Sequence, residues 1–450
     1  MSKHIFVIGA GRSATDLIEY LLQQATINDW YVTVGDLSLT LAQQKVNGHP
    51  RGQAIYFEGG NADMQVEYIS QADVVVSLLP PSMHPSVAKV CLTYGKHLVT
   101  ASYISAEMAS LDAEAKEKDL IFLNELGADP GIDHLNVMRG LDKLKAEGAK
   151  ILELRSFCGS LIAPESNDNP WGYKFTWSPM NVILAGQGAA SYLKEGKRKL
   201  IPYNRLFTTT DKVEIEGIGD FEAYANRDSY SYIETYHLEG IQTLLRGTLR
   251  KAGYCEGWNA FIRLGMTAND YKIADSEMLT YADWTESYLS RQANESLETA
   301  LARFLETEED SYLMKCLLSV GILSAEKISR SNATPAEILY DLLMSRWVFL
   351  ETDKDLLVMA DKILYEKEGK YYEKTATMAV IGRDHEHTAI SQTVGLPAAM
   401  GVKLILQGKI SHRGVLMPIY PEIYAPILTE LAEYGIVFSE KTRFIADYRR

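Results

Sequence analysis

Short apolar runs alternate with helical apolar periodicity along the first part of the chain. Residues 4–8, "HIFVI", read as a buried strand leading into Gly9-Ala10-Gly11-Arg12-Ser13-Ala14, after which Leu17, Ile18, Leu21 and Leu22 recur on one helical face. The pattern repeats: "YVTVGD" ends at Asp36, "AIYFEG" precedes "GNADMQ", and an apolar run from Val74 to Leu79 is followed by Pro80, Pro81 and a helix. "KHLVTASY" ends a further strand at Ser102 and Tyr103, and "LIFLNELG" supplies one more. Strands alternating with helices in this rhythm predict a Rossmann-type, doubly wound parallel sheet and an α/β fold class.

The pattern then changes. Residues 151–265 carry strand-like alternation, as in "KVEIEGIG", while residues 283–350 carry apolar positions at helical spacing with charges between them. Strand signals return in "DLLVMADKILYEKEGKYYEKTATMAVIG", so the helical stretch interrupts a sheet domain. The expected division is a dinucleotide-binding domain at 1–130, completed by about 390–450; an α+β substrate domain at 131–270 and about 351–390; and a helical insertion at 271–350.

Composition narrows the classes. The chain has 450 residues, 46% hydrophobic and 23% charged, which fits an ordinary folded protein. Its formal net charge is −14, and its longest basic run, "KEGKRK", is short, so no nucleic-acid footprint is expected. The four cysteines, Cys91, Cys158, Cys255 and Cys316, are scattered and support neither a disulfide framework nor a zinc site. The N-terminus lacks the pattern of a secretory signal, and no apolar run approaches the roughly 20 residues of a membrane span. A cytoplasmic protein without a membrane partner is expected.

The glycine stretch carries the first chemistry. Gly-x-Gly-x-x-Ala between strand and helix is a dinucleotide fingerprint: Gly9 permits the tight turn, Gly11 lets the backbone approach a pyrophosphate, and Ala14 permits close helix packing. Arg12 and Ser13 lie at the helix N-terminus, where N–H groups meet phosphate. Asp36 lies a little over the ~20 residues downstream at which an acid commonly bonds the ribose 2′-hydroxyl, and no arginine adjoins it. NAD is therefore favoured, with NADP admitted. Asn61 is a candidate for the adenine side or for a helix cap. Leu79, Pro80, Ser102 and Tyr103 fall at strand ends, where ligands of such sheets sit.

Further motifs make a resemblance specific. Cys158-Gly159, Ala163-Pro164-Glu165, Asn169-Pro170, Gly172-Tyr173-Lys174-Phe175 and Trp177-Ser178-Pro179 resemble the glutamate-forming saccharopine dehydrogenase, or saccharopine reductase, family. "ELGADPGIDHL" (Glu125 to Leu135), "YANRDS", "RGTLR" and "TVGLPAAMGVKLILQGKI" resemble its other motifs in the same order, over nearly the whole chain. The resemblance implies a substrate, saccharopine, with three carboxylates and a secondary amine, oxidised beside that amine and then hydrolysed. It implies that Ser102, Asp129, Arg227, Thr248, Leu249 and Arg250 contact saccharopine, with Tyr103 a further substrate candidate from its place at the same strand end as Ser102, and it allows a homodimer.

Each reading has a plainer counterpart. Arg227 and Arg250 suit bidentate recognition of carboxylates, but either could end a strand beside an acid such as Asp228. Asp129 could hold the substrate's ammonium group or simply form a turn, and Asp133 could cap the next helix. His134, Tyr103, Cys158 and Lys174 are candidates for general base, and water could serve instead. His385 and His387, two apart, allow a metal reading, but the sequence shows no third ligand, and a polar turn without metal is expected. Two other functions compete: a related dehydrogenase of another amino-acid or polyamine imine, such as carboxynorspermidine, and a catalytically silent dinucleotide-binding protein.

Overall fold

The computed structural model describes residues 2–185 and 187–446; the last four positions of the expected C-terminal range lie outside them. The chain divides into two compact units, Met1–Ile151 with Leu364–Arg450, and Leu152–Ile363.

In the first unit, strands β1 (Lys3–Ile8), β2 (Trp30–Asp36), β3 (Gly52–Tyr56), β4 (Val74–Ser77), β5 (His97–Thr100) and β6 (Ile121–Leu123) lie in the order β6-β5-β4-β1-β2-β3. Their pairings are parallel throughout. The chain winds outward from β1 to β3, then returns to β4 on the other side of β1, which places the switch point beside the glycine stretch. Both faces are covered: Phe6, Val75, Leu98 and Phe122 on one face and Val7, Val76, Val99 and Leu123 on the other are fully buried, which is why these strands read as unbroken apolar runs.

The second unit is built on β7 (Lys150–Ile162), β8 (Ala190–Lys194), β9 (Lys197–Ile201), β10 (Thr210–Ile215), β11 (Gly219–Ala225), β12 (Thr243–Lys251) and β13 (Asp355–Lys367). Its sheet runs β10-β11-β12-β7-β13, antiparallel from β10 to β12 and parallel between β12 and β7. Helices Tyr254–Arg263, Tyr281–Glu286, Leu297–Leu305, Tyr312–Ser319 and Pro335–Arg346 complete it. Ser296, Ser311 and Thr334 cap three of these helices with their hydroxyls. The core is aromatic: Trp171, Trp258, Trp284 and Trp347 are all buried, and Tyr254 stacks on Trp258 with centroids 5.6 Å apart. The doubly wound sheet and the mixed sheet with helices are the architecture expected from the sequence.

The chain then re-enters the first unit through β14 (Lys370–Ile381), the helix Ala389–Leu406, β15 (Gly414–Leu416), the helix Pro421–Glu433 and β16 (Ser439–Ile445). Here β15 joins β6 in parallel as the outermost strand of the first sheet, and β14 pairs antiparallel with β16. The helix Ala389–Leu406 is long and apolar enough to cross a bilayer, yet 83% of it is buried inside the protein. The backbone N–H of Asp16 donates to Ser391 Oγ at 3.1 Å, tying this helix to the start of Thr15–Asn28.

Candidate active site

The glycine loop has the geometry its residue types require. Gly9 adopts φ +108°, and a Cβ there would meet Leu78 Cβ at 3.2 Å; its N–H donates to Gly35 O at 2.8 Å. Beside Gly11 the space is open, since a Cβ would meet nothing within 4 Å, whereas Ala14 is fully buried. The Asp36 carboxylate lies against this loop: Oδ2 accepts the Ala10 N–H and Oδ1 the Ser38 N–H, each at 2.8 Å. The open backbone at Gly11, the adjacent carboxylate and the helix start at Arg12 and Ser13 fit a dinucleotide.

The other cofactor candidates divide. Asn61 Oδ1 accepts the N–H groups of Asp63 and Met64 at 3.1 and 3.2 Å, so its oxygen serves as the helix cap. Leu79 is half-buried and would contact any Cβ placed on Gly59, while Pro80 is exposed.

A polar network closes the ends of β4, β5 and β6. His84 is buried; its Nδ1 lies 2.9 Å from Ser77 Oγ, and its Nε2 lies 2.8 Å from Ser102 Oγ and 3.2 Å from Thr100 Oγ1. Burial holds the His84 imidazole down to about 4, so it is neutral near pH 7. The Ser102 carbonyl accepts the Glu125 N–H at 3.1 Å, and Glu125 Oε1 accepts the Ile104 N–H at 3.0 Å. The other Glu125 oxygen meets Nε2 of His134, which is fully buried. Tyr103 donates its phenol proton to Asp129 Oδ1 at 2.8 Å.

The turn itself is fixed by backbone. The Asp129–Pro130 bond is cis, Gly127 N–H donates to Pro130 O at 2.9 Å, and Gly131 at φ +148° lies so close to Gly127 that a Cβ would collide with its backbone. Asp133 Oδ1 accepts the Gly131 N–H at 2.6 Å, so Asp133 reaches back into the turn from the first helical turn. His84 belongs to none of the motifs that mark the other site residues in the sequence, and Glu125 opens one of them without a signal for its own role. A signal existed for the first: His84, Val87, Ala88 and Cys91 follow helical spacing, and all four are buried.

In the second unit, strand alternation puts Arg246, Thr248 and Arg250 on one face of β12, with Tyr224 opposite Thr248 on β11 and Cys158 opposite it on β7. Arg250 is 3% exposed and lies over the rings of Tyr173, Tyr224 and Tyr254, its carbon 5.4, 5.8 and 5.2 Å from their centroids. Its Nη1 donates to Leu249 O at 3.0 Å, and its Nε has no hydrogen-bond partner. Among the described residues, no carboxylate lies within ion-pair distance of this guanidinium. Burial pushes the Tyr173 phenol up to about 12 and Tyr254 well above its ordinary value, so these two phenols are neutral.

The remaining candidates sort by what already occupies them. The Leu249 side chain is fully buried in the core, on the face of β12 opposite Arg250, so only its backbone reaches the polar face. Arg227 is exposed and makes no ion pair among the described residues; Asp228 Oδ1 instead accepts the Tyr230 N–H at 3.0 Å. Lys174 is held 2.8 Å from Asp168 and 2.7 Å from Asp353. Burial opposes its charge, but these two hydrogen bonds outweigh it and raise its pKa, which favours the charged form of Lys174.

The loop after β14 gathers more acids than the sequence revealed. His387 Nε2 lies 2.9 Å from Glu19 Oε1 and its Nδ1 3.0 Å from Asp384, while Arg383 Nη2 donates to Asp16 Oδ1 at 2.7 Å. Potential ligand atoms of Asp16, Glu19 and His387 lie within 4.8 Å of one another, and Arg383 pairs with Asp16 while His387 hydrogen-bonds Glu19. Burial lowers the His387 pKa less than the hydrogen bonds to Glu19 and Asp384 raise it.

The chain is similar to known proteins over nearly its whole length. The saccharopine dehydrogenase NADP binding domain matches residues 5–123, and the saccharopine dehydrogenase C-terminal domain matches residues 127–436. The chain is 32% identical over 451 residues to saccharopine dehydrogenase [NADP(+), L-glutamate-forming] of Saccharomyces cerevisiae, covering 98% of this chain and all of that one. It is 34% identical over 452 residues to the protein of that name in Pyricularia oryzae, covering 98% and 99% of the two chains. It also matches the mitochondrial alpha-aminoadipic semialdehyde synthase of Rattus norvegicus at 32% identity, spanning 98% of this chain but only 48% of that protein. The solved structure of the apo, histidine-tagged L-Glu-forming saccharopine dehydrogenase from Saccharomyces cerevisiae superposes with a TM-score of 0.87 at 31% identity, over 98% of this chain and 100% of the other. The chain belongs to the saccharopine dehydrogenase family.

Proposed function

We propose that this protein oxidises saccharopine, reversibly, to L-glutamate and 2-aminoadipate 6-semialdehyde, with NAD as the preferred cofactor. The observation that carries the reading is Arg250, a buried cation among phenol rings that has, among the described residues, an unpartnered Nε and no carboxylate of its own. A buried charge without a counter-ion is costly, and a substrate carboxylate is the partner it lacks. Arg227, exposed and without an ion pair among the described residues, is a second cation for a substrate with three carboxylates. Thr248 and the Leu249 backbone flank Arg250, and Ser102, Tyr103 and Asp129 supply polar contacts, with the Asp129 carboxylate suited to the substrate's amine.

The glycine loop and Asp36 would hold a nicotinamide dinucleotide, which would supply the hydride acceptor for the carbon beside the secondary amine. The protein's own part is to orient the amine, hold the carboxylates, and admit the water that splits the resulting imine. For the cofactor, the Asp36 carboxylate fixed to the loop by Ala10 and Ser38 is a fixed negative charge where a 2′-phosphate would come. This preference differs from the NADP(+) in the fungal relatives' names. It suits net oxidation in lysine breakdown, in the cytoplasm.

Steady-state assays of saccharopine with NAD and with NADP, beside carboxynorspermidine with NADPH, test both parts. Saccharopine turnover with a higher kcat/KM for NAD is expected. No turnover of saccharopine overturns the substrate, and preference for NADP overturns the cofactor.

A further inference from the structure

Among the described residues, His84 is a buried histidine that the reaction as proposed does not use, and its contacts connect two strand ends. Ser77 is the last residue of β4, and Ser102 lies just beyond β5. The ring bridges them at 2.9 and 2.8 Å, with Thr100 Oγ1 at 3.2 Å from Nε2 and the Ser102 N–H donating to Thr100 Oγ1 at 3.1 Å. The partners of the imidazole are hydroxyls throughout. A neutral imidazole donates from one nitrogen and accepts at the other, so the ring couples the role of the Ser102 hydroxyl to that of Ser77 and holds the Ser102 oxygen in one rotamer, whichever tautomer is present. Packing fixes the ring as well, because His84 opens the helix His84–Tyr94 and shares its buried face with Val87, Ala88 and Cys91.

We infer that His84 is a positioning residue for saccharopine, orienting the Ser102 hydroxyl through a Ser77–His84–Ser102 bridge. The inference rests on the reading that Ser102 contacts saccharopine. His84 itself does not touch substrate; it sets which way the hydroxyl at the strand end presents its proton and its lone pairs. A free serine hydroxyl would sample several rotamers, and ordering it on binding would weaken the contact.

The test is a set of variants assayed with saccharopine and NAD on the full chain. His84→Phe keeps an aromatic ring and removes both nitrogens; it is expected to raise the saccharopine KM about 3- to 10-fold, the range of one lost neutral hydrogen bond, with the KM for NAD unchanged. His84→Gln, whose amide reaches toward the position of Nε2, is expected to recover much of that loss. Ser102→Ala is expected to match His84→Phe, and the double variant to be no worse than Ser102→Ala, since residues acting through one contact are not additive. Ser77→Ala, two contacts from the substrate, is expected to give a smaller rise in KM that also disappears in the Ser102→Ala background. If Ser102→Ala raises the KM while His84→Phe and Ser77→Ala do not, the positioning role is overturned and the reading of Ser102 stands. If Ser102→Ala leaves the KM unchanged, the reading of Ser102 fails and the positioning role falls with it. Additive losses in the double variant, or a change confined to the KM for NAD, would place His84 on a different task.

Discussion

His134 Nε2 lies 2.9 Å from Glu125 Oε2, with both side chains buried, and the second Glu125 oxygen accepts the N–H of Ile104. This pair fastens the segment after β5 to the helix that follows the Asp129 turn, so one carboxylate holds two pieces of backbone in place. Removing either partner costs the other, still buried, one of its polar contacts. Glu125→Ala and His134→Ala are each expected to destabilise the protein by roughly 2–4 kcal/mol, between the cost of an unsatisfied polar group and that of a broken buried ion pair. Chemical denaturation checks this, and losses below about 0.5 kcal/mol, the scale of an ordinary surface change, would show that the pair does not hold the turn.

Arg250 presents the opposite case, a buried charge whose partner is missing among the described residues. Arg250→Met removes that charge and keeps most of the volume, so the free protein is expected to be as stable as the wild type or more so. Saccharopine binding is expected to weaken by about 1.5–3 kcal/mol, the scale of a hydrogen bond to a charged group. Arg250→Lys should recover little, since an ammonium cannot form the planar bidentate contact. Melting temperature and saccharopine KM measured together check this; a large fall in stability with an unchanged KM would make Arg250 a structural residue.

Much of this fold was legible because its strands obey simple patterns. Strands covered on both faces read as apolar runs, and Gly9 and Gly11 stand where a tight turn and an open backbone are needed. The sites were less legible, because their partners come from distant parts of the chain. His84 could be placed inside by its helical spacing, but only the adjacency of β4 and β5 brings Ser77 and Ser102 to its two nitrogens. The aromatic cage around Arg250 is assembled from Tyr173, Tyr224 and Tyr254, which share no local pattern. His385 and His387 suggested a pair by spacing, whereas the structure joins His387 to Glu19, 368 positions away. Local periodicity encodes which face is buried, and it does not encode which polar group waits across the turn.

Asp36 tests the cofactor reading. Its two oxygens are held by Ala10 and Ser38 N–H groups, so its charge is fixed beside the glycine loop. Asp36→Ala is expected to lower kcat/KM with NAD and to raise it with NADP, because the repulsion toward a 2′-phosphate is gone. An unaltered ratio of the two would show that Asp36 does not meet the ribose.

Arg227 separates binding from stability. Its exposed side chain makes no ion pair among the described residues, so Arg227→Ala is expected to leave stability within about 0.5 kcal/mol of wild type. The saccharopine KM should rise, by the equivalent of about 1.5–3 kcal/mol if the guanidinium meets a carboxylate. Kinetics and thermal unfolding on the same sample check both halves, and an unchanged KM removes Arg227 from the site.

His84 also gives the protein an acid limit that can be measured. Burial holds its folded-state pKa down to about 4, below the 6.5 of the free side chain, and its neighbours Ser77, Thr100 and Ser102 offer no negative charge to a protonated ring. The unfolded chain therefore binds a proton that the folded chain refuses as pH falls below about 6.5. The stability this neutral histidine contributes is complete above that pH and is lost progressively toward pH 4, by about 3 kcal/mol at most. His84→Gln does not titrate, so its stability should change less than that of the wild type between pH 7.5 and 4.5. Denaturant midpoints of the two proteins at those pH values check this, and parallel losses in both would show that His84 does not carry the acid sensitivity.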